Sequence, residues 1–219
     1  MRNFVQIVDD FSRLYYDSRG QTWRNTNWIG HRTWKCPLDL WIYQEILVET
    51  KPDVIIECGT GEGGTTLYLA TVCNLIGHGE IITIDLVERK RLKHDRIKFL
   101  LGDSISDEVV GEVSRLILGK TVMVILDSTH VKDHVFKELE IYSKLVTKDN
   151  YLIVEDTIMN GHPVKSSFGE GPMEAVTEFL SKNTNFVIDK NREKFYLTFN
   201  PNGYLKRVSD ESIRSDSCT

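Results

Sequence analysis

The segment Val54-Ile-Ile-Glu-Cys-Gly-Thr-Gly-Glu-Gly-Gly-Thr-Thr66 is the most informative part of this chain for its fold class. It begins as a short run of β-branched residues and passes directly into glycines, which is typical of a buried strand that turns into a helix. Glycines remove the side chains that would keep a ligand away from the backbone. Because open α/β sheets bind ligands over the carboxyl ends of their strands, the loop predicts a cofactor site there. We expect the cofactor to contact Gly59, Thr60, Gly61, Gly63 and Gly64.

Short β-branched runs and helical segments alternate on both sides of this loop. The predicted strands are Val54–Glu57, Ile81–Asp85, Ile97–Leu101, Val122–Asp127 and Tyr151–Glu155. The predicted helices between them include Thr65–Ile76, Asp107–Leu118 and Val131–Leu145. Strands that alternate with helices predict parallel pairing through right-handed crossovers, and therefore a sheet covered on both faces. An earlier helix is predicted from Pro37 to Lys51, with Asp39 accepting bonds from its first-turn amides.

The end of the chain follows another pattern. After a helix at Met173–Ser181, the runs Phe186–Ile188 and Lys194–Phe199 are joined by the short polar turn Asp189–Glu193, which predicts a hairpin. The fold class is therefore α/β, a doubly wound and mostly parallel seven-stranded sheet with an antiparallel C-terminal hairpin. We divide the chain into an N-terminal arm (1–36), a cofactor-binding domain (37–207) and a disordered tail (208–219).

Composition excludes several classes of protein. The 219 residues fit one domain, and the net charge of −5 argues against a nucleic-acid partner. No apolar stretch is long enough for a signal peptide or a membrane span, so no membrane partner is expected. The spacings of the four cysteines match no zinc pattern, and without a secretory signal they indicate reduced thiols in a cytoplasmic protein.

The N-terminal arm is rich in aromatic residues without a clean period. They are Phe4, Phe11, Tyr15, Tyr16, Trp23, Trp28 and Trp34. Large aromatic side chains mostly serve burial, so these rings are expected to pack on the main domain. The alternative is that they wall a substrate pocket or a subunit interface.

The glycine loop alone does not identify the cofactor. Gly59, Gly61 and Gly64 also satisfy the dinucleotide fingerprint, and Asp85 lies where an acid could bind a ribose. Two further acids favour S-adenosylmethionine. A carboxylate at Glu57 suits the ammonium group of a methionine moiety and would repel a pyrophosphate. Asp103 could accept from an adenine amino group, although it could equally be a helix cap, a role open also to Ser104 or Ser106. We include Ser104 and Asp127 in the expected donor site.

Three acids follow the fourth and fifth strands. Asp127 ends one strand, and Glu155 and Asp156 end the next, so their carboxylates should converge on one edge of the sheet. Close carboxylates repel one another unless a cation neutralises them, and a hard ion such as Mg²⁺ fits oxygen ligands. The alternative is that one acid caps a helix while another pairs with a lysine such as Lys132 or Lys165.

His130 stands three residues beyond Asp127. A histidine there could take a proton from a hydroxyl at neutral pH, although a lone histidine is more often structural. His134 and His162 are weaker candidates for this base. The following stretch Thr157–Gly171 is too long for a simple connection in a compact domain, and we interpret it as a substrate loop or lid.

Several of these motifs resemble the cephalosporin hydroxylase/rhamnosyl O-methyltransferase family. The resemblance is carried by Lys35–Glu45, Ile56–Thr60, Gly63-Gly64, Val154–Thr157, Asn160–Pro163, Gly169–Val176 and Lys194–Asn200. It implies a class I methyltransferase fold, sites for S-adenosylmethionine and magnesium, and homo-oligomers. More distantly, the order of Asp127, Glu155 and Asp156 is similar to that of catechol O-methyltransferase. That enzyme has a lysine base where this chain has His130.

These observations predict a magnesium-assisted O-methyltransferase. The expected acceptor is a hydroxyl of a small molecule, such as a sugar, a polyketide glycoside or a catechol-like natural product, because adjacent hydroxyls chelate a metal well. Two alternatives remain. One is a nucleotide-dependent oxidoreductase, and the other is a non-catalytic subunit that binds S-adenosylmethionine and assists a partner enzyme.

Overall fold

The run Val54–Cys58 forms a completely buried strand in the middle of the main sheet. The structure, a computed structural model, describes residues 3–18, 20, 22–88 and 93–210. Its helices are α1 (Phe4–Asp17), α2 (Pro37–Thr50), α3 (Gly64–Ile76), α4 (Asp107–Leu116), α5 (Lys132–Tyr142) and α6 (Pro172–Lys182). Its strands are β1 (Asn27–Trp28), β2 (His31–Arg32), β3 (Val54–Cys58), β4 (Glu80–Asp85), β5 (Ile97–Leu101), β6 (Val122–Leu126), β7 (Tyr151–Val154), β8 (Phe186–Ile188) and β9 (Tyr204–Arg207).

Within the described residues, seven strands form one sheet in the order β5-β4-β3-β6-β7-β9-β8. The first five are parallel, whereas β9 runs antiparallel to both β7 and β8. Alternate side chains of each strand face opposite sides of the sheet and build two cores. Val54 and Ile56 pack with α4, α5 and α6, while Ile55 packs with α2 and α3. The predicted doubly wound sheet is confirmed, and each of the five predicted parallel strands ends within one residue of its observed bounds.

The second strand of the predicted C-terminal hairpin was wrong. The observed strand is β9 at Tyr204–Arg207, and Lys190–Glu193 forms a 3₁₀ turn. The apolar residues Leu197 and Phe199, which suggested a strand, are buried in a separate cluster with Tyr16 of α1. Their alternation therefore reflects packing against the N-terminal arm.

The predicted capping role of Asp39 was also wrong. Cys36 precedes α2 without a side-chain cap, and Asp39 is buried. Its carboxylate accepts bonds from Thr198 Oγ1 at 2.5 Å, the Phe199 N–H at 2.9 Å and the Tyr204 hydroxyl at 2.9 Å. Burial raises the pKa of Asp39 to about 6, against the effect of these bonds. Asp39 thus connects α2 to the C-terminal segment.

The predictions for the C-terminal tail and for the cysteines can be compared with the structure only where it describes the residues concerned. In the segment predicted as a disordered tail, the Val208 N–H donates to the Asn185 carbonyl at 2.8 Å, and residues 211–219 lie outside the described residues. Cys36, Cys58 and Cys73 are buried free thiols, while Cys218 also lies outside that range. No helix in the described part of the chain is long and apolar enough to cross a membrane.

Candidate active site

A cavity of about 420 Å³ lies over the carboxyl ends of the parallel strands, and the N-terminal arm covers its other side. The predicted site residues that line it are Gly59, Thr60, Gly61, Gly64, Asp85, Asp127, His130 and Asp156. An adjoining pocket of about 140 Å³ shares Gly59 and Asp85 and adds Asp103 and Ser104. Glu57, Gly63 and Glu155 line neither space.

Two glycines of the loop are required by contacts within the protein. A Cβ at Gly59 would lie 2.0 Å from the Asp127 carbonyl oxygen, and one at Gly64 would lie 2.1 Å from the Arg32 carbonyl oxygen. Neither backbone could move away without disturbing β6 or the arm. These glycines therefore bring the loop, the strand end and the arm together around the cavity.

Asp85, at the end of β4, is held by neutral backbone donors. Its Oδ2 accepts from the Gly61 N–H at 3.0 Å, and its Oδ1 accepts from the Val87 N–H at 2.9 Å. The carboxylate borders both the main cavity and the smaller pocket. It is thus placed to contact a ligand that spans the two.

Asp103 and Ser104 form the far end of the smaller pocket. Asp103 Oδ1 accepts from the Ile105 N–H at 3.1 Å, and the cap of α4 is Ser106, so capping does not explain Asp103. Ser104 Oγ donates to Glu138 Oε1 at 2.5 Å. Sequence reasoning missed Glu138, which is buried on α5 although nothing in the sequence around it suggests a buried acid.

Glu57 lies beneath the glycine loop and lines neither cavity. Its side chain is buried and accepts from Thr66 Oγ1 at 2.5 Å and Thr83 Oγ1 at 2.7 Å. The Thr83 hydroxyl is in turn 2.7 Å from the hydroxyl of Thr60, which lines the cavity. Burial raises the pKa of Glu57 to about 7. A role of Glu57 in binding the donor stays a prediction, and within the described residues its link to the cavity runs through Thr83 to Thr60.

A buried lysine neutralises part of the acidic cluster. Lys35 Nζ lies 2.5 Å from Asp127 Oδ2 and also contacts Glu155 Oε2. Only 4% of Lys35 and 2% of Glu155 is exposed. Burial alone would lower the pKa of the Lys35 ammonium, but Asp127 and Glu155 outweigh it and raise this pKa. Burial and the charge of Asp127 raise the pKa of Glu155, against the opposing effect of Lys35.

Three side chains converge more closely than the predicted metal set. Donor atoms of Asp127, His130 and Asp156 all lie within 4.8 Å of one another, and His130 Nε2 is 3.2 Å from Asp156 Oδ2. Glu155 is turned towards Lys35 and has one buried oxygen without a hydrogen-bond partner. The two aspartates and this spare carboxylate oxygen fit a hard cation.

The predicted alternative to a metal was a lysine that pairs with one of the three acids. Such a lysine is present, but it is Lys35 and not Lys132 or Lys165. Lys132 pairs with Glu170 and Glu178, and Lys165 lies 3.7 Å from Asp17. Sequence reasoning missed Lys35 because the arm is distant from the acids along the chain. The available signal was the excess of negative charge, which requires a cation from elsewhere.

The aromatic residues of the arm serve both expected purposes. Tyr16 and Trp23 stack with ring centroids 5.1 Å apart, and both rings pack against Phe199. Tyr16, Trp23 and Trp34 also line the cavity. Tyr16 and Trp23 therefore both anchor the arm and border the cavity, whereas Trp34 borders the cavity without belonging to this cluster.

The stretch Thr157–Gly171 forms another wall. Met159 and Phe168 line the cavity, and Ile158 and Val164 are buried. Glu174 of α6 holds this loop by accepting from Asn160 Nδ2, the Gly171 N–H and His162 Nε2, the last at 2.8 Å. His162 thus lies outside the cavity and is tied to Glu174.

Another cavity of about 420 Å³ lies between α5 and α6, lined in part by Phe136, Phe179 and Phe186. It contains none of the predicted site residues. The chemistry-bearing side chains of the described residues therefore favour the cavity at the strand ends.

The chain is similar to known proteins along most of its length. A family model described as Rhamnosyl O-methyltransferase/CmcI matches residues 20–208. A rhamnosyl O-methyltransferase of Mycobacterium tuberculosis (strain ATCC 25618 / H37Rv) is 35% identical over 212 residues, covering 92% of this chain and 85% of the relative. One of Mycobacterium leprae (strain TN) is 34% identical over 210 residues, covering 92% and 90%. A CmcI structure with Mg and SAM has a TM-score of 0.66 at 20% identity, covering 85% of this chain and 78% of that chain, which shows a shared fold.

Proposed function

This chain belongs to the rhamnosyl O-methyltransferase/CmcI family, and we propose that it transfers a methyl group from S-adenosylmethionine to a hydroxyl group of a sugar. The observation that carries the proposal is that one cavity joins the glycine loop to Asp127, His130 and Asp156. Holding donor and acceptor side by side in this way supplies much of the acceleration of a transfer reaction.

The donor would lie along the ends of β3, β4 and β5. Asp85 would accept from its ribose hydroxyls, and the pocket that contains Asp103 and Ser104 would take its adenine. Its methionine end would cross the glycine loop, where Thr60 is held from below by Thr83 and Glu57. The donor carries its methyl group on a positively charged sulfur, so the neighbouring Asp127 favours its binding electrostatically.

A magnesium ion would be held by Asp127 and Asp156, with Glu155 as the third carboxylate. When bound, such an ion lowers the pKa of an acceptor hydroxyl. Because magnesium prefers oxygen ligands, the imidazole of His130 would remain for another purpose.

We assign His130 as the base that takes the proton of the acceptor hydroxyl. Its Nε2 faces Asp156, which orients the ring, and the proton would go to Nδ1. The side chain borders the cavity and is 28% exposed, so an acceptor can approach it.

The arm and the loop would hold the acceptor. Trp23, Trp34 and Phe168 offer apolar ring faces on which the C–H face of a sugar can pack. This lining and the names of the relatives support a deoxyhexose such as a rhamnosyl group, within a glycosylated natural product.

We also propose that the protein is a homo-oligomer. On α1, the side chains of Phe4, Ile7, Phe11 and Leu14 are each at least half exposed. Their spacing of three, four and three residues is that of a helix-pairing seam, which suits α1 of a second copy. Light scattering of the protein and of Phe11→Glu tests this, since a monomer in both cases would contradict it.

The transfer reaction can be tested directly. The protein is incubated with S-adenosylmethionine carrying an isotopically labelled methyl group, with magnesium, and with a rhamnosyl glycoside or its deoxygenated analogue. Mass spectrometry should show one labelled methyl group on the rhamnoside and none on the analogue. Donor binding without transfer to any sugar offered would instead indicate a binding subunit, and the proposal would be wrong.

A further inference from the structure

Lys35 is a buried cation carried by the N-terminal arm. Its backbone is tied to the arm, because its N–H donates to Thr26 Oγ1 at 3.3 Å and this hydroxyl donates to the Trp23 carbonyl at 2.6 Å. Nearby, the Arg32 carbonyl occupies the space that the missing side chain of Gly64 leaves open. Movement of the ammonium group therefore depends on the Lys35 side chain alone.

The ammonium group contacts two of the three carboxylates that the sequence predicts as metal ligands. It contacts one oxygen of Asp127 and one of Glu155, and Asp127 also belongs to the group of donor atoms that converge with His130 and Asp156. In the described part of the chain, no other lysine or arginine forms an ion pair with these three carboxylates. Two cations that share one carboxylate at such distances repel each other strongly.

We propose that Lys35 is a built-in cation that competes with the divalent metal for Asp127 and Glu155. This inference rests on the metal site of the proposed function. Without the metal, the ammonium group holds the two carboxylates together. When the metal binds, it takes their oxygens and the Lys35 side chain turns into the cavity that it already lines. Metal binding is thereby coupled to the arm that walls the acceptor.

The competition can be measured by titrating magnesium chloride into the metal-free protein by calorimetry, with neither donor nor acceptor present. The variants are Lys35→Met and, as a matched control, Lys165→Met, which removes a lysine from the same cavity without touching the cluster. Lys35→Met should bind magnesium at least about tenfold more tightly than the unaltered protein, because a competing charge has gone. It should also melt at a lower temperature without metal and regain its stability with magnesium. Lys165→Met should change neither property.

A second measurement covers the case in which Lys35→Met does not fold. The unaltered protein is treated with an amine-acylating reagent with and without saturating magnesium, and modified lysines are identified by mass spectrometry. Lys35 should be protected without metal and react faster with it, whereas Lys165 should react equally in both. Protection of Lys35 under both conditions would overturn the inference.

The outcomes separate this inference from the proposed function. If the unaltered protein binds magnesium and Lys35→Met binds it equally or less tightly, the competition is wrong and the metal site stands. If neither protein binds magnesium, both are wrong. If Lys35→Met binds magnesium and the unaltered protein does not, Lys35 excludes the metal completely under these conditions, which supports the competition.

Discussion

The acids at the two halves of the sheet edge are held by different kinds of partner. Glu57, Asp85 and Asp103, at the ends of β3, β4 and β5, are held by neutral hydroxyl and N–H donors. The acids that follow β6 and β7, namely Asp127, Glu155 and Asp156, face the cationic or ionisable side chains of Lys35 and His130.

The first group of acids is therefore held by hydrogen bonds alone, whereas the second group also depends on the charge of its partners. Hydrogen bonds from neutral groups do not depend on the ions in solution. The half of the site that would bind S-adenosylmethionine is therefore formed before any metal binds. The other half is balanced only when cations are present, and it therefore responds to metal and to protons. Binding of S-adenosylmethionine should consequently change little when the metal is removed, since only Asp127 is common to both, whereas turnover should be lost.

The largest effect is expected for Asp156→Ala. Removing a carboxylate from the cation-dependent half should abolish magnesium binding and reduce turnover by at least about 10³, because the ion lowers the barrier by several kcal/mol. Affinity for S-adenosylmethionine, measured by calorimetry, should stay within about threefold. A parallel loss of donor affinity would show that the two halves are not separable.

His130→Ala should have the next largest effect. Turnover with saturating metal and donor should fall by about 10²–10⁴, the usual contribution of a general base, with donor affinity unchanged. The control is His162→Ala, since His162 is bound to Glu174 outside the cavity. Near-normal turnover of His130→Ala would make the assignment wrong.

Asp85→Ala should affect only the donor half. Calorimetry should show binding of S-adenosylmethionine weakened by about 1–3 kcal/mol, the value of a hydrogen bond to a charged group, and magnesium binding unchanged. Tight binding of NAD by the unaltered protein, with none of S-adenosylmethionine, would contradict this prediction and favour the dinucleotide interpretation.

The smallest effect on the reaction is expected for Glu57→Gln, which should instead change the stability of the fold. Because burial raises the pKa of Glu57 from 4.5 to about 7, the unfolded chain ionises first, and the folded state loses stability as the pH rises between these values. The glutamine can accept the same hydrogen bonds but cannot ionise. As the pH rises from 4.5 to 7, the variant should gain up to about 3 kcal/mol of stability relative to the original protein, as measured by urea unfolding. If the free energies of unfolding of the variant and of the original protein change with pH in the same way, the raised pKa of Glu57 is contradicted.

Local pattern predicted the central strands β3, β6 and β7 well because they are buried on both faces. Val54–Cys58 reads as a continuous apolar run, and such runs have few alternative structures in a chain of this kind. The segment Lys194–Phe199 has a similar pattern, but its apolar residues pack on α1, almost two hundred residues earlier in the chain. The two segments differ in what their apolar residues pack against, and that contact cannot be read from the local sequence.

The site was predictable to the extent that strand ends determine it. Asp85, Asp127 and Asp156 could be placed at the cavity because each directly ends or follows a strand. The direction of a side chain at such an end is set by its partners. Glu57 turns to Thr66 and Thr83, and Glu155 turns to Lys35, whose position depends on how the arm packs.

The close approach at Gly59 and Gly64 has a consequence for how such chains diverge. Both glycines are needed to bring the protein's own backbones together, at 2.0 Å and 2.1 Å from where a Cβ would stand. A descendant that lost its methyl donor would still have to keep them in order to fold. A search for inactive relatives should therefore ignore the glycines and ask whether Asp85, His130 and Asp156 have been replaced.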